Sequence, residues 1–120
     1  MARILLADDD AATRDLVQRA LALDGHEVIV TQDGAEALEK LMSPTGRIDL
    51  LISDVQMPGV DGIELVEKGL CTSPGLRVIL MSGFAGELGR AEQLKGKVSR
   101  VIGKPFTLDE MRSTVRGALR

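Results

Sequence analysis

The sequence predicts an α/β fold, a doubly wound parallel sheet with helices on both of its faces. Short segments rich in Ile, Leu and Val alternate five times with segments whose apolar residues have helical spacing. Several apolar segments are continuous rather than alternating, which is typical of strands buried on both faces. Right-handed crossovers between parallel strands then place helices on both sides of the sheet. Because 120 residues is the size of one domain, we expect residues 1–120 to form a single domain.

Five apolar segments are the predicted strands. Their β-branched and large aliphatic residues pack well on a pleated surface. In chain order they are RILLA (3–7), EVIVT (27–31), IDLLIS (48–53), LRVILMS (76–82) and SRVIG (99–103). We therefore expect a sheet of five strands.

Helices are predicted after each of the strands. Apolar residues three and four positions apart share one face of a helix and form its buried stripe. The first three stripes are Leu16, Val17, Ala20 and Leu21, then Ala37, Leu38, Leu41 and Met42, then Ile63, Val66 and Leu70. The fourth helix, 87–95, is the least regular, because Gly86, Gly89 and Gly96 lower its helix propensity.

The last helix has a well-marked start. Thr107 and Glu110 have the spacing of a capping box, in which each side chain accepts a hydrogen bond from the backbone N–H of the other residue. The stripe that follows is Leu108, Met111, Val115 and Leu119. Since the chain ends one residue after this stripe, we expect no second domain.

Composition and charge exclude several classes of function. The net charge of −3 argues against a nucleic-acid-binding surface, which normally carries a basic patch. No segment approaches the roughly 20 apolar residues of a membrane span, and the first apolar run is too short for a signal peptide. The single cysteine, Cys71, has no partner for an internal disulfide and is expected to be a small buried or half-buried hydrophobic residue. We therefore expect a cytoplasmic protein.

The acidic run after the first strand is the first candidate site. Ligands of open α/β sheets bind beyond the carboxyl ends of the strands, where Asp8, Asp9 and Asp10 lie. Asp54 follows the third strand, so these carboxylates converge if the first and third strands are neighbours. Oxygen ligands of this kind suit Mg²⁺, whose charge compensates the carboxylates. The alternative role of these acids is to cap the first helix, and Asp10 is the residue best placed for that alone.

Polar residues also stand at the ends of the fourth and fifth strands. Ser82 ends the fourth strand, and Lys104 and Pro105 follow the fifth. With the carboxylates they suit phosphoryl transfer to a carboxylate, because an ammonium and a metal neutralise the transferring group and a hydroxyl donates to one of its oxygens. Taken singly, Ser82 is an ordinary turn residue and Lys104 an ordinary solvated lysine.

Four segments together resemble the receiver domain of two-component response regulators, the CheY-like family. They are ILLADDD, LLISDVQMPGVDGIEL, VILMSG and GKPF, which occur in the family's order and spacing. The resemblance covers essentially the whole chain. It implies a flavodoxin-like fold with strand order 2-1-3-4-5, in which the first and third strands are neighbours.

The resemblance implies that Asp54 is a phosphoacceptor. It would take the phosphoryl group from the phosphohistidine of a sensor histidine kinase or a histidine phosphotransfer protein, and Ser82 and Lys104 would contact the phosphoryl oxygens. The peptide between Lys104 and Pro105 would be cis, as in the family. The chemistry would be limited to accepting and losing this group, so the domain would be a signalling module rather than an enzyme.

A Mg²⁺ site is also implied by the resemblance. Asp9 and Asp54 would bind the ion through their carboxylates, and Gln56 would bind it through its backbone carbonyl. Asp8 would hold a metal-bound water.

Two positions depart from the family. The residue three before the lysine, commonly aromatic in the family, is Val101, and the chain has no Tyr or Trp. We therefore expect activation to use an inward movement of Ser82 and a rearrangement of the glycine-rich segment 83–89. Phe84, two residues after Ser82, is expected to slow hydrolysis of the acyl phosphate by limiting the approach of water. The alternative is that Phe84 fills a surface groove or contacts a partner.

Two other functions remain open. A phosphatase of the haloacid-dehalogenase kind usually has a second acid two residues after its nucleophile, whereas Gln56 has that position here. A pseudo-receiver binds partners without accepting phosphate, and the set of Asp9, Asp54, Ser82 and Lys104 speaks against it. By analogy with the family, the signal would leave through the face formed by the last two helices and the fifth strand. The SGFAG segment also resembles CpdR-like single-domain regulators.

Overall fold

A parallel β-sheet forms the centre of the computed structural model, which describes residues 1–43, 46–83, 89–90, 94 and 96–120. Its strands are β1 (Arg3–Ala7), β2 (Glu27–Thr31), β3 (Leu50–Asp54), β4 (Arg77–Ser82) and β5 (Arg100–Gly103). All neighbours are parallel, in the order β2-β1-β3-β4-β5. The predicted fold class and strand order are therefore confirmed.

Four helices connect or follow these strands within the described residues. They are α1 (Ala11–Leu23), α2 (Gly34–Met42), α3 (Gly62–Thr72) and α4 (Leu108–Leu119). Each begins after a residue whose side chain accepts from a backbone N–H of the first turn, namely Asp10, Asp33, Asp61 and Thr107. Both hydrogen bonds of the capping box predicted at Thr107 and Glu110 are present. Most of the predicted helix 87–95 lies outside the described residues.

The core has two layers, one on each face of the sheet. Ile4 and Leu6 of β1 pack with α1 and α4 in one layer, and Leu5 and Ala7 pack with α2 and α3 in the other. All four of these side chains are fully buried. The continuous apolar segments of the sequence are thus explained by helices on both faces.

Three details differ from the sequence prediction. Asp54 is the last residue of β3 rather than the residue after it, because it pairs in register with Met81 of β4. Met42, which was expected to be buried, is exposed, and so is Cys71, which was expected to be buried or half-buried. Both lie in the last turns of their helices, where the Thr72 hydroxyl donates to the Met42 sulfur at 3.3 Å.

The helices that the structure describes include none that is both long and apolar enough to cross a membrane.

Candidate functional site

The strand order brings the predicted polar residues to one edge of the sheet. Asp8 follows β1, Asp54 ends β3, Ser82 ends β4 and Lys104 follows β5. Because all five strands are parallel, their carboxyl ends lie at the same edge. The acids after β1 were expected to approach Asp54 if β1 and β3 are neighbours, and these two strands are hydrogen-bonded to each other.

Lys104 joins two of the carboxylates. Its ammonium donates to Asp54 Oδ2 at 3.0 Å and to Asp8 Oδ2 at 3.1 Å. Burial lowers the pKa of Lys104, but the hydrogen bond to Asp54 and the charge of Asp8 outweigh it, so the pKa lies above its ordinary value. The lysine is therefore a fixed positive charge between the two acids.

The backbone around Lys104 is also held in place. Its N–H donates to the carbonyl of Ser82 at 2.7 Å, which ties the ends of β4 and β5 together. The peptide between Lys104 and Pro105 is cis, as the resemblance implies. Ser82 itself is buried. The predicted roles of Ser82 and Lys104 toward a phosphoryl group remain predictions.

Asp8 is completely buried. Its backbone N–H donates to the carbonyl of Thr31 at 3.3 Å, and its Oδ1 accepts from the N–H of Asp10 at 2.9 Å. Burial raises the pKa of the Asp8 carboxyl above its ordinary value, and the bonds from Asp10 and Lys104 offset this only in part. A nearby positive charge stabilises the ionised form of a carboxylate that is buried in this way.

Three carboxylates form a candidate cation site. Asp8, Asp9 and Asp54 each offer an oxygen within 4.8 Å of the others. The Lys104 ammonium pairs with two of these acids, Asp8 and Asp54, and hard oxygen ligands of this kind suit Mg²⁺. The residues present therefore fit such an ion.

The remaining acid of the run has a different role. Asp10 caps α1, because its Oδ2 accepts from the backbone N–H of Thr13 at 3.3 Å and from the Thr13 hydroxyl at 2.7 Å. These bonds hold the pKa of Asp10 below its ordinary value. The capping alternative is thus correct for Asp10 and does not account for the other two acids.

Three other residues were singled out by the sequence analysis, namely Gln56, Val101 and Phe84. Gln56 is exposed two residues after Asp54, and the predicted role of its carbonyl remains a prediction. Val101 lies on β5 with 45% of its surface exposed. Phe84 and most of the segment 83–89 lie outside the described residues. The hypotheses about hydrolysis and activation that involve them therefore stay predictions.

Two glycines that the sequence analysis did not select allow helices to pack closely on β3 and on the loop after it. A Cβ on Gly62 would lie 2.1 Å from the backbone oxygen of Asp54, and one on Gly34 would lie 1.5 Å from that of Val60. The first residues of α3 and α2 therefore pack directly on the backbone of β3 and of the loop after it. The only sequence signal for Gly62 is its place directly after the cap Asp61, which is also typical of an ordinary helix start.

Comparison with curated proteins gives a consistent family. The family model described as the response regulator receiver domain matches residues 4–116. The chain is 35% identical over 118 residues to the response regulator MprA of Mycobacterium ulcerans, covering 98% of this chain and 50% of that protein. With MprA of Mycobacterium leprae it is also 35% identical, covering 98% of this chain and 51% of that protein. The chain thus spans about half the length of these curated relatives.

Solved structures share the architecture over the whole chain. Chemotaxis protein CheY4 of Vibrio cholerae is 29% identical, with a TM-score of 0.87 over 99% of each chain. The response regulator TrrA of Thermotoga maritima, solved in complex with Mg²⁺ and BeF, is 29% identical, with a TM-score of 0.85 over 99% of this chain and 100% of that chain. From the match of its sequence and of its fold, the chain belongs to the response regulator receiver domain family.

Proposed function

We propose that the protein is a Mg²⁺-dependent phosphoryl acceptor that switches a protein interaction surface. Asp54 takes the phosphoryl group from the phosphohistidine of a sensor histidine kinase or a histidine phosphotransfer protein. The observation that carries this proposal is the ammonium of Lys104, which lies 3.0 Å from Asp54 and 3.1 Å from Asp8 at the carboxyl edge of the sheet. Membership of the receiver family supports it.

In this reaction Asp54 is the nucleophile. A carboxylate oxygen of Asp54 forms a bond to phosphorus while the bond between phosphorus and the imidazole nitrogen breaks. The electron pair of the broken bond returns to the imidazole, and the product is an acyl phosphate on Asp54. Hydrolysis of that acyl phosphate by water resets the domain.

Lys104 and Ser82 stabilise the charge of the transferring group. The Lys104 ammonium moves from its carboxylate partners toward a phosphoryl oxygen, and the Ser82 hydroxyl donates to another. The two residues are tied together by the bond between the Lys104 N–H and the Ser82 carbonyl, which keeps both at the same strand ends.

The proposed metal ligands are the carboxylates of Asp9 and Asp54 and the backbone carbonyl of Gln56, with Asp8 binding through a water. The support is the approach of three carboxylates to within 4.8 Å. Mg²⁺ supplies positive charge to the phosphoryl oxygens when it is bound there. TrrA of Thermotoga maritima was solved in complex with Mg²⁺ and BeF, which is consistent with a cation at this edge.

Residues 1–120 act as one receiver unit in this proposal, and the location is the cytoplasm. The chemistry is limited to gaining and losing one phosphoryl group, so the protein is a signalling module rather than an enzyme. Output passes through protein contacts. By analogy with the family, these contacts use the face of β5, α4 and the helix predicted at 87–95.

The experiment is phosphorylation by acetyl phosphate, followed by intact-mass measurement. The wild-type protein is expected to gain the mass of one phosphoryl group with Mg²⁺ and none with EDTA. Asp54→Asn is expected to gain none, whereas Asp15→Asn, which removes the same charge at an exposed position of α1, is expected to behave as wild type. Labelling of the Asp54→Asn protein, or repeated turnover of small phosphate esters, would contradict the proposal.

A further inference from the structure

The N-terminal turn of α1 has an unusual charge pattern. α2, α3 and α4 carry acids in their first turns, whereas α1 carries none. Instead, the fourth residue of α1 is Arg14. The positive end of the helix dipole disfavours a cation at this place, so the helix itself gives no reason for an arginine there.

The reason lies in the contact that Arg14 makes. Its Nη1 donates to the backbone carbonyl of Asp8 at 2.8 Å, and the side chain is half-buried. That carbonyl belongs to the peptide group that joins Asp8 to Asp9. The guanidinium therefore holds the peptide from which two of the three clustered carboxylates extend.

Other hydrogen bonds also hold this turn, since the Asp8 N–H donates to the Thr31 carbonyl and Asp8 Oδ2 accepts from Lys104. The Asp10 N–H donates to Asp8 Oδ1, and the Asp10 carboxylate accepts from Thr13. None of these bonds is accepted by the Asp8 carbonyl, which belongs to the peptide between Asp8 and Asp9. A charge-assisted hydrogen bond to that carbonyl is stronger than one between neutral groups.

We infer that Arg14 is a positioning residue for the cation site, holding the peptide between Asp8 and Asp9 so that both carboxylates face the same ion. The inference rests on the proposed function. Loss of a group that orients metal ligands typically costs about 10- to 100-fold in metal affinity. The charge of Arg14 acts in the opposite direction, since a nearby cation repels Mg²⁺. Position and charge thus predict opposite effects of removing the side chain.

The experiment is titration of the unphosphorylated protein with Mg²⁺ by calorimetry, which needs no phosphoryl transfer. Arg14→Met is expected to weaken Mg²⁺ binding by about tenfold or more. Arg19→Met, the same charge change at an exposed position of α1, is expected to leave the affinity unchanged or slightly tighter. Arg14→Lys keeps a charged donor for the Asp8 carbonyl and is expected to bind nearly as wild type.

The outcomes separate this inference from the proposed function. If Arg14→Met binds Mg²⁺ as tightly as Arg19→Met, or Arg14→Lys binds as weakly as Arg14→Met, the inference is wrong. If Asp9→Asn also leaves the affinity unchanged, the proposed metal site is wrong as well. Should Arg14→Met not fold, Arg14→Leu provides the same comparison, because leucine also lacks the charge and the donor and is a good helix former.

Discussion

Replacing Asp54 with Asn is expected to stabilise the fold in the absence of Mg²⁺. One carboxylate oxygen each of Asp8, Asp9 and Asp54 lies within 4.8 Å of the others, and Asp8 and Asp54 share the ammonium of Lys104. An asparagine has nearly the shape of an aspartate, so the substitution removes a charge without leaving a cavity. Its amide oxygen can still accept from Lys104.

The size of the effect follows from opposing Coulomb energies. At 3.0 Å and an effective dielectric constant of about 20, the pair of Lys104 and Asp54 is attractive by about 5.5 kcal/mol. Since the acid oxygens lie within 4.8 Å of one another, the repulsion of Asp54 by each of the other two acids is at least about 3.5 kcal/mol on the same basis. Asp9 is exposed and its share is screened, while the retained hydrogen bond to Lys104 keeps part of the attraction. We therefore expect Asp54→Asn to raise the free energy of unfolding by about 1 kcal/mol.

The assay is urea unfolding at neutral pH, once with EDTA and once with excess Mg²⁺. Mg²⁺ at 100 times its dissociation constant would stabilise the wild-type protein by about 2.7 kcal/mol through mass action. The Asp54→Asn protein lacks one ligand and gains less, so the order of the two stabilities reverses when Mg²⁺ is added. The exposed Asp15→Asn protein controls for net charge. An Asp54→Asn protein that is less stable than wild type in EDTA, with Asp15→Asn unchanged, would refute the reasoning.

Three further substitutions test the packing and charges around the site. Gly62→Ala is expected to lower the acetyl phosphate reaction rate, and to lower the free energy of unfolding in urea by about 1–3 kcal/mol, since its Cβ would meet the Asp54 carbonyl at 2.1 Å; wild-type values would contradict this. Gly117→Ala in α4 is expected to stabilise by up to about 1 kcal/mol, because only the end of a flexible arginine side chain must move, at 3.2 Å; a loss of stability would show that this arginine is fixed. Hydrogen bonds from Arg112 lower the pKa of Asp24. The ionised Asp24 carboxylate therefore stabilises the fold at neutral pH, and this stabilisation is lost only as the pH falls below about 4. The stability difference between wild type and Asp24→Asn should accordingly be constant from pH 7 to about 5 and shrink below about 4, as measured by urea unfolding; a difference that disappears near pH 6 would contradict this.

Local patterns predicted the elements of this fold, and contacts between elements determined the rest. The capping box at Thr107 and the buried strands are properties of neighbouring residues, and each is present. The end of β3 is not local, because Asp54 joins the strand through its pairing with Met81. The approach of Gly62 to the Asp54 carbonyl is not local either, because it depends on where the start of α3 lies relative to β3.

The candidate site shows the same division. The types of its residues indicated a cation and a phosphoryl group, but the pattern alone left open whether β1 and β3 are neighbours. That point came from the resemblance, and the hydrogen-bonded register of the two strands confirms it. The contact of Arg14 with the Asp8 carbonyl had a sequence signal, a cation in the first turns of a helix, which becomes informative only once the partner of the side chain is known.

Asp8 and Asp54 share the ammonium of Lys104. This sharing suggests how the proposed phosphorylation changes the structure beyond the site without an aromatic residue at position 101. A ligand shifts a conformational equilibrium only by its differential affinity for the two states. Lys104 is bound to Asp8 and Asp54 before the reaction, and a phosphoryl group on Asp54 competes for that ammonium. If the ammonium followed the phosphoryl oxygen as proposed, Asp8 would lose a partner while fully buried, and the cost would fall on the end of β1. The Lys104 N–H, which donates to the Ser82 carbonyl, would link the same movement to the end of β4. Under the proposed function, competition for this one ammonium would therefore connect phosphorylation of Asp54 to the ends of β1 and β4.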